Sequence, residues 1–305
     1  MSSPVPRFVW VDGVLHPAGE PHLSAFDRGF QLGDGIFETL RARGGHVTEL
    51  DAHTARLRRS ADGLQIELPH DIGDRLALGI ADLLAAEGLD GPDGDASVRI
   101  TVSRGSWMSR GLLPPRGEHL EATVVIQAWP VMPAPAGHLE DGLSLVASTV
   151  RRDPANPLVT LKTTSRADYV FARLEARRAG AEDALFLTTS GHLSESTTAN
   201  VFLVRRAADG ATELATPALD CAILAGTTRS WLLRWAAIAG LRPVEGWLTP
   251  DELAAADEAF VCSSVAGILP VTRFNGHPVG SGRPGTWTLR ARADREQFIR
   301  EGGDR

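Results

Sequence analysis

Apolar and polar positions alternate with period two at the start of the chain. FVWVDGVLH reads as a hairpin turning at Asp12-Gly13, and IFETLRARGGHVTEL as a second one turning near Gly44-Gly45. The period then lengthens to that of a helix. DAHTARLRRSADGL and DIGDRLALGIADLLAAEG carry apolar residues at helical spacing, the second with Leu76, Ile80, Leu83 and Leu84 on one face and Gly88 as its stop. SVRITVSR and EATVVIQAW return to strand alternation. From Pro130 to Gly142, PVMPAPAGHLEDG, periodicity lapses among prolines and glycines, and this stretch is the expected linker. The pattern therefore divides the chain into an N-terminal α/β domain over 1–129, a linker over 130–142 and a C-terminal domain over 143–305. In the second domain, strands are expected at LSLVAST, ALFLTT, NVFLV and EAFVCSS. Helices are expected at ADYVFARLEARRAG, GTTRSWLLRWAAIAG and TWTLRARADREQFIREG, with a loose tail from Gly302 to Arg305. The fold class is α/β, of the α+β kind.

Composition fits this division. A chain of 305 residues, 43% hydrophobic and 23% charged, is long enough for two medium domains, each with its own core. No apolar run reaches the roughly 20 residues of a bilayer span, and MSSPVPRFVWVDG has neither the basic nor the apolar region of a signal peptide. A cytoplasmic protein with no membrane partner is expected. Cys221 and Cys262 stand in no metal or redox spacing and read as buried free thiols, so no metal is expected. A formal charge of -7 without a basic block excludes a general nucleic-acid binder.

One skew changes the picture. Of 31 lysines and arginines, 30 are arginine, and Lys162 is the only lysine. Arginine replaces lysine in salt bridges and at phosphates, but its guanidinium stays protonated and cannot condense with an aldehyde. A single retained lysine points to amine chemistry. On the count alone, compositional drift with one accidental survivor explains it equally well.

The neighbours of Lys162 decide between the two. An enzyme using pyridoxal 5'-phosphate needs an amine for the aldehyde, a partner for the pyridine nitrogen and donors for the phosphate. Glu195, after a tight Ser190-Gly191 turn, suits the pyridine nitrogen by context, although alone it reads as an ordinary loop glutamate. Gly226, Thr227 and Thr228 precede a strongly apolar helix, where backbone N–H groups and hydroxyls can bind a phosphate; taken alone, the same run reads as a helix cap. Arg56, in HTARL, offers a further charge or is one more arginine of a solvated face.

RGFQLGDGIFETLR, HTARL, Lys162, EDALFLTTSGHLSESTTANVF, ATP, ILAGTTR and EAFVCSSVAGILPV together, in this order, resemble the class IV aminotransferases of pyridoxal phosphate fold type IV. The resemblance runs from about the first hairpin to Pro270, and the 33 residues from Lys162 to Glu195 suit it. It implies a smaller N-terminal α/β domain and a larger C-terminal, cofactor-binding domain with a pseudo-barrel sheet. It makes Lys162 the Schiff-base lysine and catalytic base, and Glu195 the pyridine-nitrogen partner. Arg56, Leu224, Gly226, Thr227, Thr228 and Ser264 would be cofactor-binding, with Asn200 in support. It also implies a homodimer with shared active sites.

Within the family, two departures count against the branched-chain enzymes. This chain has GDGIFET where they resemble GSSVFEG, and Ala167 where they carry a tyrosine five residues after the lysine. Its only tyrosine, Tyr169, reads as packing. Phe37 stands where D-amino acid transaminases often have a ring tyrosine. SRGSWMSRGLLPP resembles both the aminodeoxychorismate lyase loop and the D-amino acid transaminase segment, which makes Arg110 the candidate carboxylate clamp. TTSR resembles the xxNR of the lyases but has Ser165 in place of asparagine. Thr39 and Arg166 join Phe37 and Arg110 as candidate substrate contacts, and Arg28 is a candidate for reaching a neighbouring subunit's site. The expected reaction is transfer of an amino group from a D-amino acid or (R)-amine donor to a keto-acid acceptor such as pyruvate or 2-oxoglutarate. The alternative is 4-amino-4-deoxychorismate lyase, and a branched-chain L-amino acid transaminase is the third reading.

Overall fold

A computed structural model describes residues 5–303, so Asp304 and Arg305, the end of the tail expected to be loose, lie outside the described residues. The chain forms two compact units. The first is residues 1–132 with Leu161–Arg166 and Ile299–Arg305, and the second is Pro133–Thr160 with Ala167–Phe298. The segment carrying Lys162 thus groups with the first unit, although the sequence pattern assigns it to the C-terminal half.

The first unit is built from β1 (Phe8–Val11), β2 (Val14–Pro17), α1 (Arg28–Leu32), β3 (Gly35–Arg43), β4 (His46–Val47), α2 (Leu50–Leu64), α3 (Ile72–Glu87), β5 (Asp95–Ser103) and β6 (Thr123–Pro130). Its six strands form one sheet in the order β2-β1-β6-β5-β3-β4 among the described residues. Both expected hairpins form, with Asp12 and Gly13 at φ 47° and 104° and Gly44 and Gly45 at 56° and 76°, the positive values that tight hairpin turns require. Alternation along β5 sorts its side chains. Ala96, Val98, Ile100 and Val102 are buried against α2 and α3, while Ser97, Arg99 and Thr101 lie on the opposite face. The core face meets Leu57, Ala61, Leu76, Ile80 and Leu83, each of which contributes in the range of about 1.5–3 kcal/mol for a fully buried large apolar side chain, less for alanine. α3 approaches closely because position 79 is glycine: a Cβ there would stand 2.7 Å from Trp10 and 2.9 Å from Ile126.

The second unit contains α4 (Ala136–Glu140), β7 (Leu143–Arg152), a 3-10 turn over Pro157–Thr160, α5 (Ala167–Arg178), β8 (Asp183–Thr188), β9 (Leu193–Ser196), β10 (Asn200–Arg206), β11 (Thr212–Pro217), α6 (Thr227–Ala239), β12 (Arg242–Gly246), α7 (Pro250–Ala254), β13 (Glu258–Ser263), β14 (Gly267–Phe274), β15 (His277–Pro278) and α8 (Thr286–Arg300). The sheet runs β12-β11-β10-β13-β14-β7-β8-β9, with β15 on β14. It curls into a half-barrel that brings β9 back beside β10, where the Ser196 N–H donates to the Ala199 carbonyl at 2.8 Å. One face buries Leu145, Leu185, Leu203, Val261 and Val271. The other packs Phe202, Phe260 and Leu214 against Trp231, Leu232 and Trp235 of α6. The stretch expected as a linker contains α4, a single helical turn that its prolines and glycines concealed. No helix among the described residues is long and apolar enough to cross a membrane.

Candidate active site

The segment carrying Lys162 meets β3 through an isolated bridge and its flanking backbone hydrogen bonds. Thr163 bridges Ile36 in antiparallel fashion, the Phe37 N–H donates to the Lys162 carbonyl at 2.9 Å, and the Thr164 N–H donates to the Gly35 carbonyl at 2.9 Å. The Lys162 N–H donates to Ser60 Oγ on α2 at 3.1 Å, so the backbone is held from both sides. Residues opposite one another in such a ladder project to the same face. Phe37 and Lys162 do so, with Nζ 4.5 Å from the ring centroid.

The same ring collects two more cations. The guanidinium carbon of Arg99 lies 4.0 Å from its centroid and that of Arg166 at 5.6 Å. Thr39 is the direct cross-strand partner of Arg99. Burial, with the nearby charge of Arg166, lowers the pKa of Arg99 below the ordinary arginine value. Phe37, Thr39, Arg166 and Lys162 are therefore together, and Arg99, missed in the sequence, stands among them. Its signal was available: in SVRITVSR it is the charged member of the polar face of an alternating strand.

Arg56 lies on the helix-facing side of the sheet, 5% exposed. Its Nε and Nη2 donate to the two carboxylate oxygens of Glu38 at 2.8 and 2.6 Å, and His53 Nδ1 is 2.8 Å from Glu38 Oε2. Burial alone would raise the pKa of Glu38, but Arg56 and His53 hold it down to about 2. Burial outweighs Glu38 at His53, whose pKa is lowered.

Arg28 and Arg110 are placed differently from one another. Arg28 is 2% exposed, with its guanidinium bound to Asp34 at 2.9 Å and to the carbonyls of Gly111 and Leu112. It anchors the backbone directly after Arg110, which is itself exposed on the loop.

In the second unit, Glu195 of β9 is 6% exposed and surrounded by donors. Its Oε2 accepts from the Leu224 N–H at 2.9 Å and from Asn200 Nδ2 at 3.3 Å, and its Oε1 is 3.4 Å from Arg152 Nη2. Arg152 also donates to the Ala222 and Val159 carbonyls and to the Tyr169 hydroxyl. Tyr169 does pack, edge-on to Phe186 at 5.1 Å, and in addition reaches Glu195's own partner. Asn200 Nδ2 donates to the Leu224 carbonyl as well, joining β10 to the turn before α6.

Gly226 is the N-cap of α6 and gives the helix no side-chain cap. A Cβ here would lie 2.2 Å from Asn200 Oδ1, so a side chain would force Asn200 off Glu195. Thr227 Oγ1 and Ser264 Oγ stand 3.3 Å apart, and the buried Oγ1 of Thr228 has no hydrogen-bond partner. A helix N-terminus with three hydroxyls, one of them buried and unmatched, suits a phosphate, which supplies several acceptor oxygens and the negative charge that the helix dipole favours.

The amino-transferase class IV family model matches residues 35–274. The chain is 30% identical over 289 residues to a branched-chain-amino-acid aminotransferase of Pseudomonas aeruginosa, covering 92% of this chain and 89% of that protein. It is 29% identical over 283 residues to a D-alanine aminotransferase of Bacillus licheniformis, covering 92% and 93%. Its structure superimposes on the T.th. branched-chain amino acid aminotransferase with pyridoxamine 5'-phosphate at a TM-score of 0.87 and 26% identity, covering 98% of this chain and 96% of that one.

Proposed function

From the premise that the chain belongs to the class IV aminotransferases, we propose that it moves an amino group from a D-amino acid to a keto acid such as pyruvate or 2-oxoglutarate. The enzyme class and its cofactor, pyridoxal 5'-phosphate, follow from the family. The finer reading is supported by the cluster of Arg99, Arg166 and Lys162 around the Phe37 ring. Two guanidiniums near one another repel, and a substrate carboxylate beside them relieves that repulsion while accepting charge-assisted hydrogen bonds. A plain amine gives them nothing to bind. The cluster therefore favours an amino acid donor over an (R)-amine, and GDGIFET and Ala167 set the chain apart from the branched-chain pattern.

When bound, the cofactor supplies an aldehyde carbon that takes up amines and a ring that accepts electrons from the substrate's α carbon. Lys162, the only lysine in the chain, would hold that carbon through its Nζ, and the same amine, once free, would be the base that takes up and returns the substrate's α proton. Glu195, its carboxylate held by the Leu224 N–H, Asn200 Nδ2 and Arg152, would supply the negative partner for the pyridine nitrogen. Thr227, Thr228, Ser264 and the first N–H groups of α6 would take the phosphate, and Arg56 is the candidate for a further positive charge toward it. Gly226 keeps the turn narrow, and Leu224 contributes through its backbone N–H to Glu195.

We read the protein as a cytoplasmic homodimer. Phe26, Phe30, Leu32, Met108, Leu112 and Leu113 are exposed around α1 and the Arg110 loop, an apolar patch of the kind a second copy covers. In that arrangement Arg110, carried on a loop fixed by Arg28, serves the active site of the neighbouring copy.

A second reading, transamination of branched-chain L-amino acids, is favoured by the names of the P. aeruginosa and T.th. relatives. The lyase reading rests on Arg166 and the Arg110 loop. Initial rates with D-alanine, L-leucine and (R)-1-phenylethylamine, each with 2-oxoglutarate, separate the transaminase readings. D-alanine is expected to be fastest. Arg99→Gln should raise the KM for D-alanine about 10- to 100-fold, the worth of one charged hydrogen bond, and leave (R)-1-phenylethylamine unaffected. A preference for L-leucine, or equal effects of Arg99→Gln on both donors, overturns this reading.

A further inference from the structure

We propose that Glu38 and His53 are positioning residues for Arg56, fixing its guanidinium in the orientation that serves the cofactor phosphate. The inference rests on the reading of Arg56 as a phosphate contact. Glu38 is fully buried on the core face of β3, between Ile36 and Leu40, where the alternation calls for an apolar side chain. Its two oxygens are matched by a bidentate fork from Arg56 and by Nδ1 of His53, with the three side chains 0%, 5% and 1% exposed. His53 and Arg56 are three residues apart on α2 and so share the face turned to β3.

A buried ion pair of this kind is seldom a net source of stability, because apolar side chains of the same volume do as well or better. What it does provide is geometry. An arginine free to rotate loses that freedom when a ligand binds, whereas a guanidinium held by two parallel hydrogen bonds has already lost it. His53 completes the device from the second side. Its Nδ1 stands 2.8 Å from Glu38 Oε2, and because an ionised carboxylate oxygen only accepts, the hydrogen of that contact comes from the His53 ring. Glu38 is thereby kept from swinging with Arg56.

The test compares pyridoxal 5'-phosphate with pyridoxal, which lacks the phosphate. Dissociation constants for both are measured by absorbance titration of protein stripped of its cofactor. The series is wild type, Arg56→Gln, Glu38→Gln, His53→Leu and His53→Asn, the last keeping an amide N–H near the position of Nδ1. Arg56→Gln should weaken the phosphorylated ligand more than about 10-fold and leave pyridoxal nearly unchanged. Glu38→Gln and His53→Leu should each weaken the phosphorylated ligand about 10-fold with pyridoxal within twofold, and His53→Asn should recover most of the loss. If Glu38→Gln does not fold, the two His53 variants decide. Equal weakening of both ligands by Glu38→Gln and His53→Leu would show a merely structural role and overturn the proposal. So would unchanged binding in those variants while Arg56→Gln discriminates. If Arg56→Gln itself fails to discriminate, the reading of Arg56 has failed and the proposal falls with it.

Discussion

Replacing Lys162 by alanine is expected to lower the transamination rate by about 10⁴-fold or more, since in the role proposed for it this residue is both the covalent holder of the cofactor and the proton carrier. No other side chain can substitute, because the remaining basic residues are histidines and 30 arginines. The loss should be chemical and not structural. The backbone at 162 is held through its own N–H and carbonyl, by Ser60 and Phe37, and neither bond uses the side chain. Lys162→Arg provides the matched control, with charge and length kept and the amine removed. Both variants should show circular dichroism and a melting temperature close to wild type, and both should lack the visible absorbance of a covalently held cofactor. Retention of a tenth of the wild-type rate by Lys162→Ala would show that the base is elsewhere.

Glu195→Gln should lower kcat by about 10²- to 10³-fold, the range for removing one preorganised electrostatic contact to developing charge. Every neighbour of Glu195 is a donor: the Leu224 N–H, Asn200 Nδ2 and Arg152 Nη2. An amide at this position must turn its own N–H toward one of them or toward the pyridine nitrogen, so both the charge and the hydrogen-bond pattern are lost. Affinity for the cofactor should change far less than kcat, because the hydroxyls and N–H groups proposed to take the phosphate at the start of α6 are untouched. Steady-state rates beside cofactor dissociation constants separate the two effects. Equal losses in kcat and in cofactor affinity would reduce Glu195 to a binding contact.

Much of the first unit could be read from periodicity. Both hairpins carry the turn residues that positive φ requires, and α2 and α3 carry an apolar face wide enough to reveal their period. The second unit was less legible where its strands are buried but polar. β9 reads Leu193-Ser194-Glu195-Ser196, and all four are buried, because Ser194 Oγ donates to the Ala222 carbonyl and Glu195 has its donors. Composition hides such a strand, since its polar groups are matched by residues distant in sequence. β11 and β12 pair in parallel across the α6 crossover, a long-range choice that no local pattern announces.

The candidate site divides in the same way. Lys162, Glu195 and the Gly226-Thr227-Thr228 run stood out because each departs from its surroundings: a lone lysine, an acid after a tight turn and a polar start to an apolar helix. Arg99 did not, since one arginine among thirty on a polar strand face looks ordinary until the register sets it beside Phe37. Glu38 was read only as part of a motif. Its burial depends on α2 delivering Arg56 and His53 to β3, which alternation along one strand cannot reveal.

The central claim, transamination of a D-amino acid, predicts a specific stoichiometry. Cofactor-loaded protein mixed with D-alanine and no keto acid should release one pyruvate per active site and then stop, resuming only when 2-oxoglutarate is added and D-glutamate forms. A lyase needs no second substrate to continue. No pyruvate from D-alanine, together with sustained release of p-aminobenzoate and pyruvate from aminodeoxychorismate, would contradict the claim.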